Sequence, residues 1–377
     1  MTDRVVLTSP DHFLAAIPHF VGFMPEKSLV VACFTPNDNG MRDTSLLVTA
    51  RIDLPTPESD PLGMWAPNMA ESLARTGTRS VLIAVVDADA KPAPGTPWPH
   101  QDAIDTFIAA LDDRGIDALD VLFTDGERRW SIGCTEEVCC PGEGVPINAD
   151  ARALVDAEFA FASNGPRAAS RAELVAEVAA AEVDGVGDLI ERFVNERPGL
   201  DADALSSDQW RMGQVDMLHT IAAWPENMAA EDIANVAGAL TDIHVRDTYL
   251  RDLAEPGSNM DGAIAMLRTT VKGAPEAFVA PPATLLATVH YWNGDGARTN
   301  VALDRAADYG QEYSLATLMR QTAACGITPA SHREAVLSVS RDECFYGPLR
   351  VNAIPPSAAL PAAPIVQPIS PNQGLAL

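Results

Sequence analysis

The apolar residues of the first 150 positions predict an alternation of strands and helices. Short runs rich in valine, leucine and isoleucine are typical of strands, and the run at 80–86 lacks polar alternation, which indicates burial on both faces. Four further strands are predicted at 28–34, 44–54, 120–124 and 128–133. Helical spacing predicts helices at 61–75 and 102–114. A first, short helix is predicted to begin after Ser9-Pro10 and to run through residue 17, because Pro18 is expected to disturb it.

The order of these elements predicts the fold class. Two strands, a helix, a strand, a helix and two strands follow one another, and turn residues at 37–40 and at Asp125-Gly126 separate the members of each strand pair. Strands joined by a tight turn pair antiparallel, whereas a crossover through a helix favours parallel pairing. We therefore expect an α/β domain with a mixed sheet over residues 1–150.

From residue 151 onward the strand pattern disappears and helical spacing replaces it. Ser170 and Glu173 have the spacing of a capping box ahead of an alanine-rich helix that runs to Ala181. Proline and glycine clusters separate further helices, predicted at 187–196, 208–224, 230–253, 260–272, 283–292, 297–309, 313–325 and 329–339. This pattern predicts an all-α C-terminal domain over residues 151–350, with no fixed repeat length.

Residues 351–377 have a different composition from the rest of the chain. They contain six prolines and no charged residue. Such a segment cannot form a packed core of its own, and an extended or polyproline-like conformation is typical of it. We expect a Pro-rich, uncharged tail, and the alternative is that its apolar residues dock along a groove.

Composition and charge exclude several classes of function. The chain has 377 residues, 47% of them apolar, and 52 acidic against 26 basic residues give a net charge of −26. A protein so acidic is not expected to bind nucleic acid or an anionic membrane. No secretory signal is recognisable, no apolar run approaches the roughly 20 residues of a membrane helix, and six cysteines are too sparse for a disulfide scaffold. A cytoplasmic location is therefore expected.

Three cysteines form the most chemically reactive segment of the sequence. Cys134, Cys139 and Cys140 lie within seven residues at a predicted strand end. Thiolates with this spacing could bind zinc with one outside ligand, or form a redox-active disulfide. Adjacent cysteines in a strand would point to opposite faces, which argues against zinc. The third interpretation, a rigid turn with small apolar side chains packed beneath the sheet, needs no chemistry at all.

Two other groups of residues are candidate sites. Asp87 and Asp89 follow the strand at 80–86, where ligands collect in open α/β sheets, and paired carboxylates there could bind Mg²⁺. The alternative is a solvated acidic loop. Arg128, Arg129 and Trp130 combine two guanidinium groups with an aromatic ring, which could bind an anionic ligand or pair with nearby acids.

Three segments carry a family resemblance. They are HFLAAIPHFVGFMPEKSLVV at 12–31; WSIGC at 130–134, VCCP at 138–141 and GVP at 144–146; and GDGA at 294–297, AL-x-RA at 302–306 and YSLA at 313–316. In combination they resemble the DUF4192 family, although Ile132 stands where members often have tyrosine. The resemblance implies an intracellular, mainly actinobacterial domain of unknown function, without established catalytic residues.

No common catalytic motif is present in the sequence. The P-loop, dinucleotide-binding, zinc-protease and serine-hydrolase patterns are all missing, and no motif indicates a cofactor. The favoured hypothesis is a ligand-binding or partner-binding protein, with a ligand pocket at the strand ends and the helical part as a surface for a partner or for self-association. A further interpretation is that the Pro-rich tail recruits other protomers or a scaffold. The alternative is a thiol- or metal-dependent hydrolase with its site near residues 134–140 and Asp87/Asp89.

Overall fold

A computed structural model of the chain describes residues 7–35, 45–55, 64–93, 95–162, 168–196, 204–308 and 313–347. These residues divide into two compact units. The first comprises the described residues of Met1–Glu173 together with Ala323–Gly326, and the second comprises those of Leu174–Thr322 and Ile327–Ile369. The domain boundary at residue 150 stays a prediction, and the predicted turn at 37–40 and the tail at 351–377 lie outside the described residues.

The first unit contains a mixed sheet, as predicted, with six strands where the sequence predicted five. Its strands stand in the order β2-β1-β3-β4-β5-β6, and only β3 and β4 are parallel neighbours. They are β1 (Ser28–Thr35), β2 (Ser45–Asp53), β3 (Ser80–Val86), β4 (Asp117–Thr124), β5 (Arg128–Ser131) and β6 (Val145–Pro146). The fold class, an α/β part with a mixed sheet followed by helices, is confirmed.

Four helices of the first unit are α1 (Pro10–Val21), α2 (Trp65–Arg75), α3 (Gln101–Asp112) and α4 (Ala149–Ala162). Helices α2 and α3 bury Leu73 and Phe107 in one core with β1, β3 and β4. Burial of apolar surface stabilises a fold by about 25 cal/mol per Å². The central strands lie inside this core, and they are therefore almost wholly apolar. A smaller cluster joins α1 to α4 through Ala16 and Val155.

Helices make up the second unit. They are α5 (Arg171–Val178), α6 (Val186–Glu196), α7 (Ala204–Ala223), α8 (Ala230–Ala239), α9 (Ile243–Ala254), α10 (Met260–Gly273), α11 (Ala280–Trp292), α12 (Gly296–Ala307), α13 (Ser314–Ala324), α14 (Pro329–Leu337) and α15 (Arg341–Tyr346). Helix α11 is buried on all sides from Pro281 to Trp292, so it forms the centre of this unit. Among the described residues, no helix is long and apolar enough to cross a membrane.

Several predicted elements differ from the structure. Pro18 does not end α1, because Phe13, Ile17 and Val21 are buried on either side of it and favour continuation of the helix. The single helix predicted at 230–253 is two helices, since Asp242 caps a new one. Three short or weakly amphipathic elements, β6, α4 and α15, were not predicted from the sequence.

Candidate functional site

The three clustered cysteines lie on the loop that connects β5 to β6, and side chains of β5 fix this loop. Arg128 Nη1 donates hydrogen bonds to the backbone oxygens of Glu143 and Gly144, at 3.1 and 2.7 Å. Trp130 Nε1 donates to the backbone oxygen of Gly142 at 3.1 Å. Because β5 belongs to the sheet, these bonds attach the far end of the loop to a rigid element.

Gly144 allows the loop to return beneath the indole ring of Trp130. Its φ of 79° lies in the left-handed region, which glycine adopts without the steric cost of a Cβ atom. A Cβ at this position would lie 2.4 Å from Trp130 Cε2, well inside van der Waals contact. The glycine and the tryptophan are therefore structurally dependent on each other.

Hydrogen-bonded backbone turns bring the three thiols close together. The N–H of Cys134 donates to the oxygen of Ser131, and the N–H groups of Cys139 and Cys140 both donate to the oxygen of Glu136, at 3.2 and 2.8 Å. Residues 137–139 form a turn and not a strand, so Cys139 and Cys140 do not point to opposite faces. The two adjacent thiols can therefore contact one shared ligand, contrary to the expectation for a strand.

The geometry of the cluster suits a single shared partner atom. The Sγ atoms of Cys134, Cys139 and Cys140 all lie within 4.8 Å of one another, and Cys134 Sγ and Cys139 Sγ are 3.2 Å apart. All three cysteines are free, Cys139 is exposed and the other two are half-buried. The thiols thus lie at the surface and not beneath the sheet, where the apolar-turn interpretation expects them.

The three thiols differ in acidity because of their mutual hydrogen bonds. Hydrogen bonds from the Cys140 thiol, the Glu136 backbone N–H and the Cys139 thiol lower the pKa of Cys134. The hydrogen bond between the thiols of Cys139 and Cys134 raises the pKa of Cys139. Loss of hydration, followed by the hydrogen bonds to the other two thiols, raises the pKa of Cys140 to about 12. Cys134 is therefore the thiol of the cluster that loses its proton most readily.

Three thiolates can hold a thiophilic metal ion. A zinc ion with Zn–S bonds of about 2.3 Å in tetrahedral geometry places its sulfur ligands about 3.8 Å apart. The Sγ atoms of the cluster all lie within 4.8 Å of one another, a range that includes this value. Among the described residues, no other group of three histidine, cysteine or acidic side chains brings its ligand atoms so close together.

The arginine pair is separated by the strand geometry. Arg128 faces the loop carbonyls, whereas Arg129 forms an ion pair with Asp11 of α1, with 2.5 Å between Arg129 Nε and Asp11 Oδ1. Trp130 is buried in the sheet core next to Phe123. Both guanidinium groups thus have protein partners, and binding of an anionic ligand by this pair stays a prediction.

Asp87 and Asp89 lie at the carboxyl end of β3, and each has a protein partner. Asp87 is buried; its Oδ2 lies 2.8 Å from His100 Nε2, and its Oδ1 accepts the backbone N–H of Asp89 at 3.0 Å. Asp89 is exposed and forms an ion pair with Lys27, with 2.8 Å between Asp89 Oδ2 and Lys27 Nζ. The hydrogen bond from Lys27 lowers the pKa of Asp89. A magnesium site at this pair stays a prediction.

Sequence patterns missed two residues at this edge of the sheet. Lys27 and His100 are the non-glycine residues with positive φ in the described part of the chain, at 41° and 61°. Such a backbone conformation costs energy and is often retained near functional groups. His100 contacts Asp87 and Lys27 contacts Asp89. No sequence signal marks either residue, because neither lysine nor histidine is specific for this conformation.

The chain was compared with protein families, curated proteins and solved structures. The family model described as a domain of unknown function, DUF4192, matches residues 10–330, which confirms the resemblance in all three sequence segments. Neither the curated proteins nor the solved structures contain a significant match. The thiol cluster, at residues 134–140, lies inside the matched region.

Proposed function

We propose that this chain, which belongs to the DUF4192 family, is a ligand-binding protein whose ligand is a thiophilic metal ion. Zn²⁺ is the natural occupant, because tetrahedral sulfur coordination is its usual structural environment. The observation that carries the proposal is the convergence of Cys134, Cys139 and Cys140 within 4.8 Å. The loop bonds from Arg128 and Trp130 support it, since a rigid loop presents ligands at little entropic cost.

The electrostatic surroundings favour a cation. Glu136 and Glu137 lie between the cysteines in the sequence and are exposed. The whole chain carries a net charge of −26, which raises the local concentration of cations at its surface. Three protein ligands leave the fourth tetrahedral position for water or for a group from another molecule. Sites with an open position are typical of exchangeable or catalytic zinc.

The proposal places the protein in a reducing compartment such as the cytoplasm. Thiols remain available as metal ligands where glutathione or thioredoxin systems keep them reduced. The six cysteines of the chain are free in the structure. Self-association, a protein partner and a hydrolytic reaction stay predictions, and the metal site is compatible with each.

Metal content of the full chain tests this proposal. The protein is purified under reducing conditions without chelator, and zinc is measured by elemental analysis and native mass spectrometry. We expect one zinc ion per chain, and a thiolate-to-metal absorption band when cadmium replaces zinc. Cys134→Ser, Cys139→Ser and Cys140→Ser should each lower the zinc content, because each removes one of three ligands.

Cys325→Ser is the matched control. Cys325 is an exposed, free cysteine of the same unit that lies outside the cluster, so its replacement should leave the zinc content unchanged. A wild-type chain that carries no zinc and takes up none when zinc is added would refute the metal site. So would equal loss of zinc in the control variant.

A further inference from the structure

We infer that Cys134 and Cys139 form a redox pair that a hydroperoxide converts into a disulfide, and that this oxidation releases the metal ion. The starting point is the 3.2 Å between their Sγ atoms. A disulfide bond is about 2.05 Å long, so the two sulfur atoms have to approach by about 1.2 Å. Turn residues separate the pair, and a shift of this size fits within a surface loop.

Geometry selects this pair among the three thiols. Cys139 and Cys140 are neighbours in the chain, so their Cα atoms are about 3.8 Å apart across a trans peptide bond. Disulfides usually need Cα separations of about 4.4 to 6.8 Å, which disfavours a bridge between neighbours. Cys140 is also the less exposed member of the two, and Cys139 is open to solvent. Cys139 is therefore the partner that Cys134 reaches first.

A soluble oxidant can reach the pair directly. Cys139 is exposed and the neighbouring Val138 is 99% exposed, so no side chain of the described residues covers this part of the loop. Hydrogen peroxide is the smallest member of the hydroperoxide class. Buried Cys33, in contrast, lies in the sheet core and is shielded from the same reagent.

The reaction of the metal-free protein balances with one peroxide per disulfide. One sulfur attacks a peroxide oxygen; the O–O bond breaks, an S–O bond forms and water leaves. The second sulfur then attacks the first, the S–O bond breaks, and the hydroxyl group leaves as water with the proton of the second thiol. Two electrons pass from the sulfur atoms to the peroxide. When the sulfurs are zinc-bound thiolates, two protons come from solvent instead.

Loss of two ligands explains the release of the metal. After oxidation only Cys140 of the cluster remains a thiol, and a single thiolate cannot hold zinc against water and competing ligands. This half of the inference rests on the proposed function, whereas the disulfide itself does not. Metal binding and oxidation would then be mutually exclusive states of one loop.

Peroxide treatment of the full chain tests both halves. Zinc-loaded protein is treated with hydrogen peroxide, released zinc is followed with a chromophoric chelator, and disulfides are mapped by mass spectrometry of non-reduced peptides. We expect a Cys134–Cys139 bridge, a mass loss of two hydrogens and one zinc ion released per bridge. A parallel sample of reduced, metal-free protein should form the same bridge.

Variants separate the pair from the rest of the cluster. Metal-free Cys140→Ser should still form the bridge, whereas Cys134→Ser and Cys139→Ser should lose it, and Cys325→Ser should behave as wild type. A map in which Cys140 is the main bridging partner, or in which cysteines reach sulfinic acid without any bridge, overturns the redox pair. A bridge in protein that never binds zinc overturns the release step and the proposed function, and leaves the redox pair standing.

Discussion

Single residues of β5 determine whether the thiol loop has one conformation. Arg128 and Trp130 use their side-chain N–H groups to satisfy three backbone oxygens of the returning loop. Each such bond contributes roughly 1 kcal/mol to stability, and the bonds also restrict the loop. Gly144 completes the arrangement because it places no side chain under the indole ring. The cysteines supply the chemistry, and these three residues supply its geometry.

Replacing Gly144 by alanine should therefore damage both the fold and the site. The left-handed backbone and the clash with Trp130 should together lower the free energy of unfolding by about 2 to 4 kcal/mol. Zinc affinity should fall about 10-fold to 100-fold, as is typical when support of a metal ligand is lost. Urea unfolding and competition with a zinc chelator measure the two effects.

Gly133→Ala is the control for this substitution. Gly133 lies in the same loop, and a Cβ at this position meets nothing within 4 Å. Stability and zinc affinity should both stay close to wild type. If Gly144→Ala and Gly133→Ala behaved alike, the contact between Gly144 and Trp130 would have no role in supporting the cluster.

At the residue scale, the sequence marks the three clustered thiols but not the contacts that hold their loop. Cys134, Cys139 and Cys140 stand out because three thiols lie within seven positions. The part played by Arg128 could not be predicted, because its acceptors are backbone oxygens 15 and 16 residues away. No residue type marks a backbone acceptor, so an arginine pair beside a tryptophan is equally typical of an anion site.

At the scale of elements, one side chain divides a long helical pattern into two helices. Asp242 Oδ1 accepts the backbone N–H groups of His244 and Val245, at 2.9 and 3.2 Å. These donors have no partner inside α9, so the carboxylate at the N-cap begins a new helix. Asp242 Oδ2 also pairs with Arg211 Nε at 3.3 Å. The junction of α8 and α9 thus depends on a largely buried acid.

Asp242→Ala should loosen the start of α9. Loss of the cap should cost about 1 kcal/mol, and hydrogen exchange should become faster at the amides of His244 and Val245. Asp242→Asn is the matched comparison, since asparagine caps helices as well as aspartate does but cannot form the ion pair with Arg211. Equal acceleration of exchange in both variants would show that the ion pair matters and the cap does not.

Periodicity predicted elements well where burial is strong and poorly where it is weak. The central strands were recognisable because Val81, Ile83 and Val85 and the residues between them are all apolar. Helix α4 was missed because its apolar residues form no clear stripe, although Val155 is buried. In α11 the pair Pro281-Pro282 suggested a separator, yet it lies in the first turn, where a missing N–H costs no hydrogen bond.

At the scale of the whole molecule, a buried histidine links the stability of the second unit to pH. His290 lies in the fully buried helix α11, and burial lowers its pKa from 6.5 to about 4. Asp295 and Glu177 act in the opposite direction, while Arg298 and Arg268 lower the pKa further. The folded unit therefore keeps His290 neutral under conditions in which the unfolded chain protonates it.

The free energy of unfolding should fall as pH decreases from about 6.5 to about 4. Because the folded pKa lies below the unfolded one, the contribution of His290 is complete above the unfolded pKa and is lost as pH falls through the folded pKa. The loss attributable to this residue amounts to about 3 kcal/mol at most. Urea unfolding at a series of pH values measures it.

His290→Gln should flatten this part of the pH profile, and His12→Gln, which removes a histidine of the first unit, should leave it unchanged. Identical pH slopes in wild type and His290→Gln would mean that other groups carry the acid sensitivity. Comparison of slopes is informative even if His290→Gln is less stable at neutral pH, because the slope reports protons taken up and not packing.

The two-residue strand β6 also limits how this protein can aggregate. It is the edge strand on one side of the sheet, and one of its two residues is Pro146, which has no backbone N–H to donate. Sheet edges that are long and regular recruit strands from other chains, whereas a short edge with proline leaves too few free backbone groups to template such growth. The loop that carries the thiols therefore ends in β6, a strand that disfavours the addition of strands from other molecules at this edge of the sheet.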